Sequence, residues 1–505
     1  MQLSDLLYPH EYSTHGSAAE ISVTGIASDT RKMKAGDIFV ALPGRKHDVL
    51  SLLAEIDVRP AALIVRDGSK IPDRLKSIPV FFVSSPHRTL AFLYSRLAEC
   101  PEKELTVVGV TGTAGKSSTA EMLYRILTSA GVKTALIGTV HTLIDGRIED
   151  RDSDSCTMTT PEPHILYPLL KKIRSFGVTH VVMEVSSQAL KLERVAPIKF
   201  SLAIFTNLSP EHLDFHGTME AYFLAKARLF AAADVSLINI DDTTGKRMQR
   251  YAVGKVYTAG ILETADFGAT ELSFGKEADY TLLAPTCAFR LHLPLPGAFM
   301  VYNSLFAAAA ALLLDIPPLH IKSCYRDMGM IFGRMETLDT KDFRIGFQVM
   351  IDYAHTPDAL KNLLLAARPL THRQLILLFG CGGDRDKHKR AAMGNIAEKY
   401  ADTIILTADN SRSEATEEIL SEIQNGIRKC HNICVIPNRE SAIRHALDIA
   451  KDGDLVLLVG KGHETYEIDQ SGMHAFDERR IVAEHLQKME SERGESACGS
   501  NSRGH

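Results

Sequence analysis

The fold is decided by the stretch Val107-Val108-Gly109-Val110-Thr111-Gly112-Thr113-Ala114-Gly115-Lys116-Ser117-Ser118. An apolar, β-branched run ends here at a glycine-rich turn, which closes on a lysine and two serines. Glycines let backbone N–H groups point inward at phosphate oxygens, and a helix that begins near Lys116 presents its positive end to the same anions. The pattern predicts a strand, a phosphate-binding loop and a helix. Lys116 then reaches the terminal phosphates, and the Ser117 hydroxyl binds magnesium.

The spacing of this loop is a variant of the usual one. Four residues normally separate the two glycines, whereas Gly109 stands one residue too early and Gly112 is one of several substitutes. An ordinary turn, whose glycines only connect a strand to a helix, is the alternative. The run at 118–127, closed by Ala130-Gly131, favours a helix in the required place. ATP is therefore the first ligand to expect.

The composition indicates a globular enzyme. The chain has 505 residues, 45% hydrophobic and 24% charged, and this length allows roughly three domains with separate cores. Lys and Arg number 57 against 62 Asp and Glu, so the net charge is −5. Because there is no basic excess, nucleic acid is not an expected partner. We expect a monomer that acts on small molecules.

The N-terminus and the cysteines indicate a cytosolic protein. Residues 1–12 lack the basic start and apolar core of a secretory signal. The longest apolar stretches are interrupted too soon to span a bilayer, so no membrane association is expected. The eight cysteines are scattered, and Cys430 and Cys434 lack the second pair that a zinc site requires. Free thiols in a reducing compartment are the expectation.

Apolar runs divide most of the chain into α/β regions. Residues 1–100 predict a small α/β domain, with strand candidates at 38–42, 61–65 and 80–83. Residues 101–331 alternate strands with helices, which predicts a parallel sheet that binds ligands at its carboxyl edge. Its strand candidates lie at 105–110, 134–137, 179–183, 202–205 and 235–240.

A second alternating run covers residues 332–490 and predicts a Rossmann-like third domain. Its strand candidates lie at 348–351, 375–379, 403–406 and 455–459. Residues 491–505 are polar and poor in apolar side chains, so they are predicted to form a disordered tail.

Polar segments follow two apolar strands of the central region. Glu184 comes directly after such a strand, where a carboxylate can hold magnesium; a solvated glutamate is the alternative. In the next loop, His212, Asp214 and His216 fit either a zinc site or a satisfied polar loop. Magnesium prefers oxygen ligands, so residue types alone leave these histidines ambiguous.

An ordered set of motifs resembles the Mur ligases of peptidoglycan synthesis. Its members are the phosphate loop, Met183-Glu184-Val185-Ser186-Ser187, the loop at 206–217 with Lys226 beyond it, Gly333-Arg334-Met335-Glu336 and Asp352-Tyr353-Ala354-His355-Thr356-Pro357. The chain most resembles the members that add the third amino acid to UDP-N-acetylmuramoyl-L-alanyl-D-glutamate. The resemblance implies a UDP-binding N-terminal domain, a central phosphate-loop ATPase domain and a Rossmann-like C-terminal domain. It also implies ATP-dependent amide ligation through an acyl phosphate.

Nucleotide and metal roles are implied by the same motifs. Lys226 would otherwise be taken for a solvated helix residue, but the matching lysine of the family is carbamylated and becomes a carboxylate ligand for a second magnesium. The implied catalytic residues are Lys116, Lys226 and His212, and the implied Mg²⁺ ligands are Ser117, Glu184, His212 and Lys226. The implied ATP-binding residues are Gly112, Thr113, Ala114, Gly115, Lys116, Ser117, Ser118, Asn303, Arg334 and Asp352.

Substrate-binding residues are also carried by the resemblance. Those for the uridine nucleotide are Ser28, Thr30, Arg45, Lys46 and His47. Those for the muramoyl dipeptide are Thr159, Thr160, Ser186 and Arg194. Those for the incoming amino acid are Arg385, Asp409, Asn410, Ser411, Arg412, Gly460 and Glu464.

The motif Asp409-Asn410-Ser411-Arg412 predicts which amino acid is added. It matches the Asp-Asn-Pro-Arg motif of members that use meso-diaminopimelate, whose distal ammonium lies beside a distal carboxylate. A guanidinium grips a carboxylate in bidentate fashion. L-Lysine lacks this carboxylate and would leave Arg412 and Arg385 facing its ammonium. The charge argument favours meso-diaminopimelate, with L-lysine or another amino acid as the alternative.

Four positions depart from the family pattern. Ala114 and Met158 stand where Asn is usual, Leu192 where Gln is usual, and Ser411 where Pro is usual. Lost amides would weaken substrate binding by roughly 1–3 kcal/mol if buried partners go unpaired, and Ser411 would loosen its loop. These departures motivate a rival hypothesis, a nucleotide-binding scaffold without turnover. A folylpolyglutamate synthase is a further rival, disfavoured by the hundred residues before the phosphate loop.

Overall fold

Three β-sheets with packed helices, and one separate hairpin, form the computed structural model of this protein. The structure describes residues 1–13, 21–43, 48–149, 158–340, 343, 345–429 and 432–500, without the side chains of Pro9 and 493–500. Within the described chain, every helix is too short or too polar to cross a lipid bilayer.

The first sheet is small and parallel, in the order β1-β2-β3-β4. Its elements are β1 (Ile26–Ala27), β2 (Ile38–Val40), β3 (Ala62–Arg66), β4 (Val80–Val83), α1 (Val49–Glu55) and α2 (Pro86–Leu97). Successive β2 side chains point to opposite faces, so Ile38 and Val40 join one core cluster and Phe39 joins the other. The three strand predictions are confirmed, with small shifts at their ends.

The central sheet has eleven strands among the described residues, in the order β15-β14-β13-β12-β11-β10-β5-β9-β6-β7-β8. The strands are β5 (Thr106–Thr111), β6 (Thr134–Ile137), β7 (Thr142–Ile144), β8 (Arg147–Glu149), β9 (His180–Glu184), β10 (Phe200–Phe205), β11 (Ala233–Asn239), β12 (Lys255–Gly260), β13 (Phe267–Phe274), β14 (Ala278–Leu283) and β15 (Ala288–Leu293). The five predicted strands are all present.

The predicted parallel sheet is confirmed through the middle of the central sheet, and antiparallel strands extend both of its edges. In the middle of the sheet, the neighbouring strands β13, β12, β11, β10, β5, β9 and β6 pair in parallel. At the edges, β14 and β15 on one side and β7 and β8 on the other pair antiparallel. Short turns join these edge strands, and a short turn can connect only antiparallel neighbours. The parallel core still brings the carboxyl ends of β5, β9 and β10 together.

Helices cover both faces of the central sheet. They are α3 (Lys116–Ser129), α4 (Pro163–Ser175), α5 (Ser187–Lys191), α6 (Leu213–His216), α7 (Met219–Ala231), α8 (Gly245–Met248), α9 (Ala298–Leu313) and α10 (Pro318–Arg326). The buried alanines of α9 let it approach α3 closely on one face. This contact holds the helix that starts at the glycine-rich turn against the core.

The third sheet has the order β16-β17-β21-β18-β19-β20 and is parallel except for β16. Its strands and the hairpin β22–β23 are β16 (Glu336–Thr337), β17 (Gln348–Asp352), β18 (Leu375–Phe379), β19 (Thr403–Leu406), β20 (Ile433–Val435), β21 (Leu455–Val459), β22 (Tyr466–Asp469) and β23 (Gly472–Ala475). Helices on its two faces are α11 (Pro357–Ala367), α12 (His388–Tyr400), α13 (Thr416–Gln424), α14 (Arg439–Ile449) and α15 (Glu478–Ser500). All four predicted strands are confirmed.

The start of the predicted disordered tail needs correction. Helix α15 continues to Ser500, so residues 491–500 are helical, while 501–505 lie outside the described residues. This segment is polar, but several of its residues have a high helix propensity. Lys488 also pairs with Glu492 one turn later, as charged residues on a solvated helix do.

Candidate active site

The carboxyl edges of the central and third sheets face one cavity of about 720 Å³. Ligands bind parallel α/β sheets at this edge. The predicted site residues that line the cavity are Thr113, Ala114, Gly115, Lys116, Ser117, Ser118, Thr159, Glu184, Ser186, Arg194, His212, Asn303, Arg334, Asp352, Arg385, Asp409, Asn410, Arg412, Gly460 and Glu464.

The glycine-rich turn has the form that a phosphate loop requires. Gly112 has φ of +156° and Gly115 has φ of +85°, and α3 begins at the next residue. A Cβ at Gly112 would collide with Thr206, and one at Gly115 would collide with the Asn303 side chain. Both positions therefore demand glycine, and the loop packs directly against α9 through Asn303.

Lys116 folds back over this loop. Its Nζ donates hydrogen bonds to the carbonyl oxygens of Gly112 and Thr113, at 3.1 and 2.9 Å. Burial lowers the pKa of Lys116, although Glu184 and Glu211 act in the opposite direction. A lysine at the first turn of such a helix is placed to move from loop carbonyls to phosphate oxygens.

Ala114, one of the four departures, is held by a side chain from the neighbouring strand end. Its N–H donates to Asn207 Oδ1 at 2.9 Å, and its carbonyl oxygen accepts from Asn207 Nδ2 at 3.0 Å and from Thr206 Oγ1 at 2.6 Å. Both backbone polar groups of Ala114 are thus satisfied without a side-chain amide at position 114. The loop keeps its shape despite the substitution.

Glu184 ends β9 and is almost fully buried. Ser117 Oγ donates to Glu184 Oε2 at 2.9 Å, and Thr139 donates through its N–H and hydroxyl at 2.6 and 3.0 Å. The described residues contain no group of three or more His, Cys, Asp or Glu side chains arranged as a metal site. Magnesium commonly takes one or two protein oxygens and completes its shell with phosphate and water. The oxygens of Ser117 and Glu184 fit that chemistry.

Lys226 lies inside α7 and is 1% exposed, so it is not a solvated helix residue. Its Nζ donates to Gly112 O at 2.7 Å and lies 4.6 Å from the centre of the Tyr222 ring. Burial and the neighbouring Lys116 lower the pKa of Lys226 well below its usual range. This lysine is therefore favoured as a neutral amine beside the phosphate loop.

His212 has a left-handed backbone, with φ of +55°, and begins the short helix α6. Burial, with Lys226 and Lys116 nearby, lowers the pKa of His212 to about 4, although Glu211 acts in the opposite direction. His212 is consequently a neutral imidazole at pH 7, the form that can bind a metal. His216 lies deeper, with its Nε2 at 2.9 Å from Ser187 Oγ, and Asp214 lines the cavity.

Glu211 joins the central and third sheets across the cavity. Its Oε1 lies 2.6 Å from His355 Nε2, and the His355 carbonyl accepts from Lys389 Nζ at 2.8 Å. Burial favours the neutral acid, but the His355 charge and hydrogen bond, with His212 and Lys389, hold the pKa of Glu211 well below its usual range. Glu211 is a buried carboxylate whose lowered pKa favours the anion.

Arg334 and Asp352 lie where the chain crosses from the central to the third sheet. Arg334 Nη2 donates to Ser117 Oγ at 3.0 Å, and its guanidinium lies 4.7 Å from the Tyr353 ring centre. Asp352 accepts from the N–H groups of Met335 and Ala354, both at 2.7 Å, while burial raises its pKa. The crossing segment is thus tied to both sheets.

Residues predicted for the muramoyl dipeptide cluster beside Glu184. Thr160 Oγ1 donates to the Glu184 carbonyl and accepts from Ser186 N–H, both at 2.9 Å. Arg194 donates to Thr160 O at 2.9 Å and pairs with Glu162, but its Nε has no hydrogen-bond partner among the described residues. Thr159 bonds Thr139 at 3.0 Å. Thr160 itself is fully buried and supports the wall from behind.

Residues predicted for the amino acid surround the carboxyl ends of β19 and β21. Asn410 Nδ2 donates to Glu464 Oε2 at 2.8 Å, and Gly460 has φ of +116° against the Asp409 carboxylate. Arg412 Nη1 donates to the Gly383 carbonyl at 2.9 Å, and Arg385 is exposed in the adjacent loop. Ser411 is buried behind the lining, where its carbonyl accepts from Glu414 N–H at 3.1 Å.

Ser28 and Thr30, the predicted uridine-site residues that the structure describes, do not line this cavity. Ser28 and Thr30 are half-buried in the loop after β1, in the first sheet. Arg45, Lys46 and His47 lie outside the described residues.

Sequence reasoning missed several residues that shape the site. Asn207 and Thr139 hold the loop and Glu184, while Glu211, His355 and Lys461 form buried polar contacts. Glu211 lies in the loop at 206–217 and His355 in the motif at 352–357. Nothing in their spacing indicated that their side chains form a hydrogen bond. Lys461 lies between two glycines, and these glycines are the local sequence signal at that position.

One cavity is faced by a phosphate loop, by a buried carboxylate at the next strand end and by a Rossmann-like sheet. These features define the class of multidomain enzymes that bring a nucleotide and other substrates together between sheets. The chain belongs to the Mur ligase family. Residues 110–311 match the Mur ligase middle domain, and residues 333–462 match the Mur ligase, glutamate ligase domain. The resemblance drawn from the motifs is confirmed.

Full-length relatives support the same assignment. The UDP-N-acetylmuramoyl-L-alanyl-D-glutamate--2,6-diaminopimelate ligase of Caldanaerobacter subterraneus subsp. tengcongensis is 39% identical, covering 97% of this chain and 100% of that protein. The protein of the same name from Clostridium botulinum is 36% identical over 97% and 100%. A solved structure of a ligase with this name superposes with a TM-score of 0.65 at 28% identity, covering 97% of this chain and 99% of the other.

Proposed function

We propose that this chain is an ATP-dependent amide ligase that adds meso-diaminopimelate to the D-glutamate of UDP-N-acetylmuramoyl-L-alanyl-D-glutamate in peptidoglycan synthesis. The observation that carries the proposal is the single cavity shared by the phosphate loop, Arg194 and the Arg412–Glu464 wall. A phosphate donor, an acidic acceptor and an amino acid can meet there. The names of the full-length relatives support the same substrates.

ATP would bind with its phosphates on the loop at 112–118 and its adenine near Asn303. Lys116 would leave the loop carbonyls and contact the terminal phosphates. Arg334 already contacts Ser117, so it is within reach of the same phosphates. Asp352 would hold the crossing segment in place through its two backbone hydrogen bonds.

Magnesium would be held by Ser117, Glu184, His212 and carbamylated Lys226. When bound, it would neutralise charge on the phosphoryl oxygens during transfer. Lys226 can accept carbon dioxide only as a neutral amine, and its lowered pKa favours that form. The resulting carbamate would replace the amine by an anion with oxygen donors, which suits magnesium.

The reaction would proceed in two steps. The D-glutamate side-chain carboxylate attacks the γ-phosphorus of ATP, and the bond from that phosphorus to the bridging oxygen breaks. ADP is released, and the D-glutamate carries an acyl phosphate. The amine of the incoming amino acid then attacks the acyl carbon and expels phosphate, giving the amide. Lys116 offsets charge on the phosphoryl oxygens, and Arg194 orients the acceptor. Closure of the third sheet over the cavity excludes water, which would otherwise hydrolyse the intermediate.

The incoming amino acid would meet both signs of charge. Arg385 and Arg412 face a distal carboxylate, and Asp409 and Glu464 face ammonium groups. Meso-diaminopimelate carries a carboxylate and an ammonium at its distal end. L-Lysine lacks the distal carboxylate and would leave both guanidinium groups without a carboxylate partner. The uridine nucleotide would bind through Ser28, Thr30, Arg45, Lys46 and His47. Thr159, Thr160 and Ser186 would support the muramoyl dipeptide.

Phosphate release from ATP tests this proposal. The assay contains the UDP-muramoyl dipeptide and, in parallel wells, meso-diaminopimelate, L-lysine or L-ornithine, and mass spectrometry identifies any ligated product. Release and ligation with meso-diaminopimelate alone is the expected result. A response to L-lysine would overturn the choice of amino acid but retain the ligase.

The same assay separates the scaffold hypothesis. ATP binding without phosphate release in any combination of substrates would support a nucleotide-binding protein without turnover. Release that requires both the dipeptide and the amino acid would exclude it. The buried Lys116, Glu184 and Lys226 beside one loop favour turnover.

A further inference from the structure

Lys461 is a fully buried lysine that the mechanism above does not use. It follows β21 and lies between Gly460 and Gly462, both with positive φ. Its side chain is 0% exposed, and it does not belong to the lining of the cavity. Burying an ammonium is costly unless hydrogen-bond acceptors surround it, so the contacts of this side chain indicate its role.

The Lys461 ammonium has three oxygen neighbours. Nζ donates to Asn410 Oδ1 and to the Tyr466 carbonyl, each at 2.9 Å. Asp409 Oδ1 lies at 3.9 Å, close enough for an ion pair. Asn410 and Asp409 line the cavity, whereas Lys461 lies behind them. The lysine therefore contacts the amino-acid wall from its protein side.

This ammonium determines which way the Asn410 amide points. Asn410 Oδ1 accepts from Lys461 Nζ and from the Ile468 N–H at 3.0 Å, while Nδ2 donates to Glu464 Oε2 at 2.8 Å. The reversed amide would place its NH₂ against the ammonium and the N–H, and its oxygen against a carboxylate. All three contacts would then be repulsive, so Lys461 enforces this orientation together with the Ile468 N–H and Glu464.

The charge of Lys461 also matches the two carboxylates of the wall. Burial alone would favour neutral Asp409, but Lys461 and Arg439 hold the pKa of Asp409 below its usual value. Burial and Asp409 raise the pKa of Glu464. Without the lysine, Asp409 and Glu464 would both lose a buried cation that lowers their pKa values. With it, the wall remains able to receive an ammonium group.

We propose that Lys461 is a positioning residue for the amino-acid pocket, acting through the Asn410 side chain to present the Asn410–Glu464 wall to an ammonium of the incoming amino acid. The proposal rests on the ligase function proposed above. It assigns Lys461 no contact with substrate. Its effect must therefore appear in the use of the amino acid and must depend on Asn410.

A double-mutant cycle tests this dependence. Lys461→Met, Asn410→Ala and the double variant are compared with the wild type for the KM of the amino acid that the wild type uses. Lys461→Met is expected to raise that KM about tenfold, the effect of losing one charge-assisted hydrogen bond. The KM values of ATP and of the dipeptide substrate should not change. In the Asn410→Ala background, Lys461→Met should add no further rise, because the side chain through which it acts is already absent.

Two further variants control the cycle. Lys461→Gln retains an N–H donor and should give a smaller rise; it replaces Lys461→Met in the cycle if that variant does not fold. Lys399→Met removes an exposed lysine from the same sheet domain and should leave the amino-acid KM unchanged. An equal rise in Lys399→Met would show a general charge effect and overturn the proposal.

The remaining outcomes are distinguishable. Equal effects of Lys461→Met with and without Asn410, or equal rises in all three KM values, would show that Lys461 only stabilises the fold. Either result overturns the proposal and leaves the ligase function intact. A wild-type protein that releases no phosphate with any amino acid would overturn the proposed function, and the role of Lys461 with it.

Discussion

His355 Nε2 lies 2.6 Å from Glu211 Oε1, and this hydrogen bond joins the Asp352-Tyr353-Ala354-His355 segment of the third sheet to the loop that carries His212. The two residues are 144 positions apart. Glu211 is 8% exposed and lines the cavity beside the phosphate loop. The contact therefore couples the approach of the third sheet to the surroundings of the phosphate loop.

Breaking this contact should slow ligation more than it weakens nucleotide binding. Glu211→Gln removes the anion that faces His355, and a charged hydrogen bond contributes about 1.5–3 kcal/mol. We expect kcat to fall about 10- to 100-fold, with the Kd for ATP little changed. Steady-state kinetics and equilibrium nucleotide binding measure the two quantities. An unchanged kcat would show that closure does not use this contact; Glu418→Gln, on the solvated surface of α13, serves as control.

Lys226 should carry one added carbon dioxide in bicarbonate buffer. Its burial and the nearby Lys116 favour the neutral amine that this addition requires. Intact-protein mass spectrometry of the wild type should show the adduct, and Lys226→Gln should lack it. Ligation by Lys226→Gln should fall roughly 100-fold, because a charge-neutralising group beside the transferred phosphoryl is lost. Detection of the same adduct in Lys226→Gln would place it at another lysine.

Asn207 should be needed for nucleotide binding, although it contacts only the backbone of the loop. Asn207→Ala removes the contacts at 2.9 and 3.0 Å, so the Ala114 N–H loses its Asn207 partner while the Ala114 carbonyl keeps the bond from Thr206 Oγ1. We expect the KM for ATP to rise about tenfold, from roughly 1–1.5 kcal/mol of lost hydrogen bonding. Initial-rate kinetics at saturating co-substrates measure it. Asn425→Ala, at the exposed end of α13, should behave as the wild type, and equal behaviour of the two variants would refute the prediction.

Glu414 should stabilise the third sheet domain at neutral pH and lose this effect in acid. The Arg390 hydrogen bonds, with Lys387 and the Asp384 N–H, lower the pKa of Glu414 from 4.5 to about 2. A depressed folded-state pKa means that stability is fully present above the unfolded value and falls between pH 4.5 and about 2. Thermal unfolding of Glu414→Gln should therefore show a lower midpoint than the wild type at pH 7. That difference should shrink by about pH 3. A difference that persists unchanged in acid would contradict the assigned charge pairing.

Arg412 should set selectivity for the distal carboxylate. Arg412→Ala should raise the KM for meso-diaminopimelate about 10- to 100-fold, because a bidentate charged contact is lost. The KM for ATP should not rise in parallel, because the distal carboxylate belongs to the amino acid. Arg412→Lys keeps a charge without the planar fork and should recover only part of the loss. An equal rise in the KM for ATP would indicate collapse of the loop that Arg412 holds through Gly383.

Local sequence was enough for the strands and for the phosphate loop. The run at 105–110 is apolar and β-branched, and glycine was required at 112 and 115 because neighbouring side chains fill the space of a Cβ. The antiparallel edges of the central sheet were not predicted. Strands β14 and β15 alternate buried and more exposed residues, but alternation does not specify the strand with which each one pairs.

The polar contacts of the site were harder to predict than its motifs. Glu211 and Lys461 have ordinary sequence neighbourhoods, and only their burial makes their partners decisive. The loss of an amide side chain at Ala114 was expected to weaken substrate binding; that Asn207 satisfies the Ala114 backbone from the end of the adjacent strand was not predicted. A hydrogen bond between distant segments depends on how the sheets pack, and no periodicity encodes that distance.

By itself the sequence determined the predicted strands of the three sheets, the glycine-rich turn and the family, because apolar periodicity and glycine spacing act over a few residues. Only the tertiary structure decided that Glu211 meets His355, that Lys461 orients Asn410 and that Lys226 lies buried beside Gly112. These contacts join segments that the chain keeps far apart, and their strength comes from burial, which removes competing water and makes each charge depend on its neighbours.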